Sequence, residues 1–203
     1  MSLTMEQIVV QPPEPGELLD WVRLFGNEKP VEVELGTGKG GFLLERARCV
    51  PEHNYLGVEW ANTFYRFAAD RMARWGVDCV RVMRTDASNL VIHHFPAASI
   101  AALHVYHPDP WPKRRHQKKR LFQPAFVRAV AKVLQPGSRL FVQTDHAEYF
   151  DWIGERVRAE SDLRVERAAA VGEKEDEPRP GTNFEVKYRR EGRTIYGLTA
   201  VRR

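Results

Sequence analysis

The chain has 203 residues, 43% of them hydrophobic and 10% aromatic, which suits one domain with a full core and excludes global disorder. Its two cysteines, Cys49 and Cys79, lack CxxC spacing, which excludes a disulfide scaffold and a cysteine-rich zinc fold. The net charge of +4 is uneven: Lys113 to Arg120 carries +6 and Lys187 to Arg203 carries +5, leaving −7 on the rest, so an acidic body bears two basic segments suited to a polyanion.

The first residues, MSLTMEQIVVQPPEPGE, lack a basic start followed by an apolar stretch. No apolar run approaches the ~18 residues needed to span a bilayer. A soluble, cytoplasmic protein is expected, with residues 1–203 forming a single domain. A short helix is predicted over Leu18 to Phe25, after a Pro-rich entry. A strand over Val31 to Leu35 runs into the glycines GTGKGG, and a helix follows over Phe42 to Arg48. The alternation continues with a strand over Tyr55 to Val58, a helix over Ala61 to Trp75, and strands over Cys79 to Met83 and Ile100 to Tyr106. A helix over Ala125 to Leu134 stops at Gln135-Pro136-Gly137, before a strand over Leu140 to Gln143 and a helix over Ala147 to Arg158. Strands near Leu163 to Ala168 and Thr194 to Val201 close the chain, with the charged stretch GEKEDEPRPGTN between them read as a loop.

This pattern predicts an α/β fold: a Rossmann-like, doubly wound, mostly parallel sheet of about seven strands with an antiparallel C-terminal strand. In such sheets ligands sit beyond the carboxyl ends of the strands, near the switch in strand order. Glu34, Glu59, Asp86, Asp109 and Asp145 fall at five successive strand ends. Gly36, Gly38 and Gly41 match G-x-G-x-x-G between a strand and a helix, where the chain must turn tightly and approach a ligand closely. Glu59, at the end of the next strand, is placed to accept from ribose hydroxyls.

A nicotinamide dinucleotide shares this fingerprint, but the acids favour S-adenosylmethionine. Glu34 stands two residues before the first glycine, unfavourably beside a pyrophosphate and favourably beside a cationic amino and sulfonium end. Gly40 is expected to keep side chains away from that end, and Asp86 to accept from the adenine amino group. The alternative for Asp86 is a helix or turn cap, since Asp86-Ala87-Ser88-Asn89 is cap-like.

His107 to Arg120 reads HPDPWPKRRHQKKR. Its prolines stiffen the segment around Asp109, a hydrogen-bond acceptor, and Trp111, a stacking face. Lys113, Arg114, Arg115, Lys118, Lys119 and Arg120 offer charge to backbone phosphates. An acid, an aromatic and a basic run this close together suit an enzyme that modifies a base. The alternative is a proline-braced loop around a buried Trp. Adenine amino-group methylation calls for an Asn/Asp-Pro-Pro-aromatic order that differs from Pro108-Asp109-Pro110-Trp111. Cytosine C5 methylation needs a cysteine here, whereas Cys49 and Cys79 lie elsewhere and read as small core residues. A metal site from His104, His107, Asp109 and His116 is weakly supported and no metal is expected; His93 and His94 read as surface-loop residues. A non-catalytic RNA-binding scaffold is the alternative of a different class.

PDPWPKRRHQKKRL resembles the signature of the bacterial tRNA (guanine-N7-)-methyltransferases, and the likeness extends in order through ELGTGKGGF, YLGVEW, TDHAEYF and TNFEVKYRREGRTIYGL. The resemblance implies S-adenosylmethionine-dependent methylation of the variable-loop guanine, position 46, of tRNA. It implies Glu34, Glu59 and Asp86 as cofactor ligands, and Asp109 as the catalytic residue close to the cofactor. Lys113, Asp145 and the run Thr182, Asn183, Phe184 and Glu185 are implied as tRNA-side contacts, with Asp145 or Glu185 as further acceptors. The N-terminal segment is shorter than in many members, where an added segment is thought to touch tRNA.

Overall fold

The computed structural model describes residues 3–171 and 191–203. The predicted alternation is realised as strands β1 (Val9–Val10), β2 (Val31–Leu35), β3 (Asn54–Glu59), β4 (Val80–Arg84), β5 (Ile100–Tyr106), β6 (Leu134–Thr144), β7 (Leu163–Ala170) and β8 (Tyr196–Arg202). Between them run α1 (Met5–Ile8), α2 (Trp21–Phe25), α3 (Gly41–Cys49), α4 (Asn62–Trp75), α5 (Ala87–His93), α6 (Pro124–Val133) and α7 (Ala147–Ala159), with a 3₁₀ helix over Arg114–Lys119.

The eight strands form one sheet in the order β1-β4-β3-β2-β5-β6-β8-β7. All neighbours are parallel except β8, which runs antiparallel between β6 and β7. The strand order reverses between β2 and β5, and that crevice is the switch point. Every residue of β2 and β3 is buried, as expected for central strands covered on both faces.

Alternation along β2 decides what lies on each side. Val31, Val33 and Leu35 join the larger core with α5, α6 and α7, through residues such as Val91, Phe126 and Ile153. Leu43, Ala47, Ala68 and Met72, from α3 and α4, build the second core with Tyr55, Val80 and Val82. Glu32 is 2% exposed, yet Arg46 reaches it at 2.9 Å, His53 at 2.7 Å and His104 at 2.9 Å. Burial pushes this carboxyl up, but hydrogen bonds from His104 and Arg46 outweigh that and hold it well below the usual carboxylate range.

Some local features differ from the sequence expectation, among them helices α1 and α5, which it does not include, and β6, which begins at Leu134 and runs through Gln135-Pro136-Gly137. The helix predicted over Leu18 to Phe25 starts only at Trp21, because the Asp20 side chain accepts from Arg23 N and caps α2 there; Leu18 stays exposed. Val9–Val10 adds an eighth, edge strand, too short for its periodicity to show. Cys49 is exposed at the end of α3 and not a core residue, whereas Cys79 is buried. Among the described residues no helix is long and apolar enough to cross a membrane.

Candidate active site at the strand-order switch

The backbone turn after β2 is fixed from β3: Gly36 N and Thr37 N both donate to Val58 O, at 2.8 and 3.1 Å. Gly36 and Gly38 have φ of +78° and +54°, a region that disfavours side chains, and a Cβ on either would meet nothing within 4 Å. Both glycines line a cleft of about 620 Å³, within the range of roughly 300–1,000 Å³ typical of small-molecule sites.

Gly40 is placed differently from the expectation. It is absent from the cleft lining, and an added Cβ would stand 2.8 Å from Met72 Cε and 3.1 Å from Ala68 Cβ. Its small size serves the packing of the turn on α4.

Glu59 closes the glycine turn. Its Oε2 accepts from Gly38 N and its Oε1 from Ala61 N, each at 2.8 Å, and it lines the cleft. Glu34 lies behind the lining, 4% exposed, and accepts from Thr37 Oγ1 at 2.5 Å. Burial raises its pKa to about 8, with the Thr37 hydrogen bond opposing and the Glu59 charge adding. Asp86 does cap a helix, because its Oδ1 accepts from Asn89 N at 2.7 Å at the start of α5. It also lines the cleft, so the cap and a place in the pocket coexist in one carboxylate.

Opposite the glycines, the segment after β5 brings exposed Asp109 and half-buried Trp111 into the same lining. His107 and Trp111 adopt φ of +51° and +41°, conformations that cost roughly 1–3 kcal/mol each without glycine. Lys118 and Lys119 are exposed and line the cleft, and Lys119 Nζ stands 4.9 Å from the Trp111 ring centroid. Lys113, Arg114 and Arg115 are exposed outside the lining.

Arg120 overturns its expected role as a phosphate contact. Its side chain is fully buried; Nη1 and Nη2 donate to the two oxygens of Glu148 at 2.9 and 2.7 Å, and Nε donates to Pro110 O at 2.8 Å. The guanidinium also faces the rings of Tyr149 and Trp152, at 5.0 and 4.6 Å. Arg120 thus lines the cleft as a buried charge whose donors are engaged by the protein, unlike exposed Lys118 and Lys119.

Asp145 stands at the end of β6 outside the lining, accepting from Arg193 at 2.7 Å. Burial raises its pKa, but the hydrogen bonds from Arg193 and the backbone, together with the charges of His107 and Arg193, outweigh it and the net shift is downward. Thr182, Asn183, Phe184, Glu185 and the charged loop before them lie outside the described residues. The four residues considered for a metal site do not converge: His104 pairs with Glu32 under the sheet and His116 packs edge-on to Trp111. Among the described residues no cluster of His, Cys, Asp or Glu suits a metal ion. His93 is exposed at the end of α5, but His94 is buried and its Nδ1 lies 2.8 Å from Glu17 O, so it is no surface-loop residue.

The cleft also contains residues that sequence reasoning missed. Trp60, 68% exposed directly after Glu59, and Phe64 on α4 offer aromatic faces, and Tyr106 closes the floor at the end of β5. Trp60 carries a usable signal, an aromatic directly after a strand-end acid; Glu148 carries none, because its partner is 28 residues away.

With this geometry in place, comparison with known proteins decides the family. A family model described as "Putative methyltransferase" matches residues 28–198. The tRNA (guanine-N(7)-)-methyltransferase of Alkalilimnicola ehrlichii is 38% identical over 189 residues, covering 92% of this chain and 78% of that protein. The chain belongs to the tRNA (guanine-N7-)-methyltransferase family. The protein of the same name from Halorhodospira halophila is 36% identical over 192 residues, covering 95% of this chain and 83% of its own length. Among solved structures, the antibiotic-resistance methyltransferase Kmr superposes with a TM-score of 0.61 at 17% identity, covering 89% of this chain and 90% of that one, a likeness of fold. A SAM-dependent methyltransferase from Aquifex aeolicus shares the same sheet architecture, with a TM-score of 0.60 at 14% identity, covering 87% of this chain and 85% of that one.

Proposed function

We propose that the protein transfers a methyl group from S-adenosylmethionine to N7 of the variable-loop guanine, position 46, of tRNA. One observation carries the reading: a single cleft at the switch point holds the glycine turn, Glu59 and Asp86 on one side and Asp109, Trp111, Lys118 and Lys119 on the other. A cytoplasmic location follows from a tRNA substrate.

The residues fit the cofactor. The open space beside Gly36 and Gly38 admits a ligand against the backbone, and buried Glu34 lies beside this turn with a carboxyl suited to a cation. Glu59 would accept from the ribose hydroxyls and Asp86 from the adenine amino group, through lone pairs beyond those used by their backbone donors. Exposed Trp60 offers a flat face beside them. When bound, S-adenosylmethionine supplies an electrophilic methyl group on a positively charged sulfur.

Guanine N7 has a lone pair and no proton, so the chain needs no general base. It needs orientation, and it needs negative charge where the ring becomes positive. The Asp109 carboxylate, accepting from the N1–H and amino edge of guanine, supplies both. Trp111 provides a stacking face for the base, and exposed Lys118 and Lys119 meet its phosphates. Asp145, held by Arg193, and Glu185 would be further acceptors on the tRNA side.

Incubation with tritiated S-adenosylmethionine and unmodified tRNA, followed by nucleoside analysis, tests this reading. The expected label is in 7-methylguanosine. Label in another nucleoside would change the substrate, and cofactor binding without label would favour the scaffold.

A further inference from the structure

Arg120 is the only member of the run Lys113 to Arg120 that is buried, and burying an arginine is costly unless every donor has a use. Its uses are specific. The fork of Nη1 and Nη2 locks onto Glu148 on α7, while Nε holds the carbonyl of Pro110, the residue that follows Asp109. Tyr149 and Trp152 of α7 face the same guanidinium. The segment from His107 to Trp111 carries two non-glycine residues at positive φ, so it needs an external hold to stay in that shape.

We propose that Arg120 is a positioning residue for methyl transfer: it ties the Pro110 carbonyl to Glu148 of α7 and thereby fixes the Asp109 carboxylate at the cleft. This rests on the reading of Asp109 given above. It assigns Arg120 a part in the rate of the reaction and none in RNA affinity. Lysine cannot replace it, because one ammonium does not reproduce a planar fork on Glu148 together with a third bond to Pro110. Glu148 serves the same hold from the far side, and its side chain is 54% exposed, so Glu148→Gln removes the charged partner without removing apolar core packing.

The test uses the full-length protein and the variants Arg120→Lys and Glu148→Gln. Hydrogen exchange followed by mass spectrometry reads the amides of His107, Asp109, Trp111 and Lys113, independently of any activity. In both variants exchange in this segment speeds up, while that of β2 and β3 stays at the wild-type rate. Single-turnover methylation of tRNA slows by about 10- to 100-fold in Arg120→Lys, the size expected for a misplacement of about 1 Å at a reacting centre. The dissociation constants for tRNA and S-adenosylhomocysteine stay unchanged. Wild-type exchange rates in the segment overturn the proposal, as does a lower melting temperature with no segment-specific change. A loss that falls on tRNA affinity overturns it too, because that is the mark of a phosphate contact. If the wild type fails to methylate tRNA, the reading of function fails, and the exchange measurement still decides whether Arg120 holds the segment.

Discussion

Thr37 Oγ1 donates to Glu34 Oε2 across 2.5 Å, joining the end of strand β2 to the glycine loop beneath the cleft. This is the main hydrogen bond offsetting burial of a carboxyl that titrates near 8, so Glu34 is mostly protonated at neutral pH without ligand. A cationic ligand favours the ionised form, and binding should release a proton. Affinity for S-adenosylhomocysteine, which keeps the ammonium group, should therefore strengthen as pH rises toward and through 8. Calorimetry at pH 7 in two buffers of different ionisation enthalpy should give different apparent binding enthalpies; identical enthalpies would contradict this role.

The same group carries a stability consequence of definite sign. Its folded pKa of about 8 lies above the ordinary 4.5, so the folded state binds more protons and stability falls as pH rises between those values. Glu34→Gln should melt higher than wild type at pH 8, with little difference at pH 4.5, while binding cofactor more weakly. Thermal melts at the two pH values read this directly.

Glu59 holds both Gly38 N and Ala61 N, so its loss loosens the turn as well as removing an acceptor. Charged hydrogen bonds contribute about 1.5–3 kcal/mol each, and Glu59→Ala should weaken S-adenosylhomocysteine binding by about 10²-fold. The check is the ligand-induced rise in melting temperature. It should be large in wild type, nearly absent in the variant, and absent for wild type with NAD.

The buried Glu32 cluster makes the opposite pH prediction. Its carboxyl is held low by His104 and Arg46 against the effect of burial, so its stabilisation is present above the ordinary 4.5 and is lost as pH falls below it. Removing one member of a buried ion pair costs about 3–5 kcal/mol, and Glu32→Gln should lose stability of that order at pH 7 in urea denaturation. An unchanged midpoint would show that the cluster contributes nothing net.

How much of this was legible in the sequence depends on the kind of signal. The parallel sheet is legible because β2 to β6 alternate with helices at the right spacing, and the switch-point rule then places the acids without any coordinates. Gly36, Gly38, Glu59, Asp86 and Asp109 do gather at one cleft. Arg120 is not legible, because a run of six basic residues looks uniform and nothing in it marks the one that turns inward toward a glutamate 28 positions away. Gly40 is misleading for a similar reason: a glycine beside a ligand loop suggests room for the ligand, while its neighbour is Met72, 32 positions later. Short pieces such as β1 have too few residues for a period.

Lys118 and Lys119 are exposed at the cleft, whereas Arg120, which also lines it, is buried. Replacing each lysine by glutamine should reduce the slope of log K for tRNA against log salt by about 0.7–0.9, the value of one released counterion. Filter binding over a salt series reads this slope. An unchanged slope in the double variant would remove these lysines from the RNA contact.

The central claim is that the Asp109 carboxylate faces both the methyl donor and the guanine, and Asp109→Asn tests it most directly because it changes charge with little change of shape. Under single-turnover conditions the variant should methylate tRNA about 10²- to 10³-fold more slowly, the loss seen when one preorganised charge-stabilising group is removed. It should bind tRNA and S-adenosylhomocysteine as tightly as wild type. Full turnover by Asp109→Asn would contradict the account.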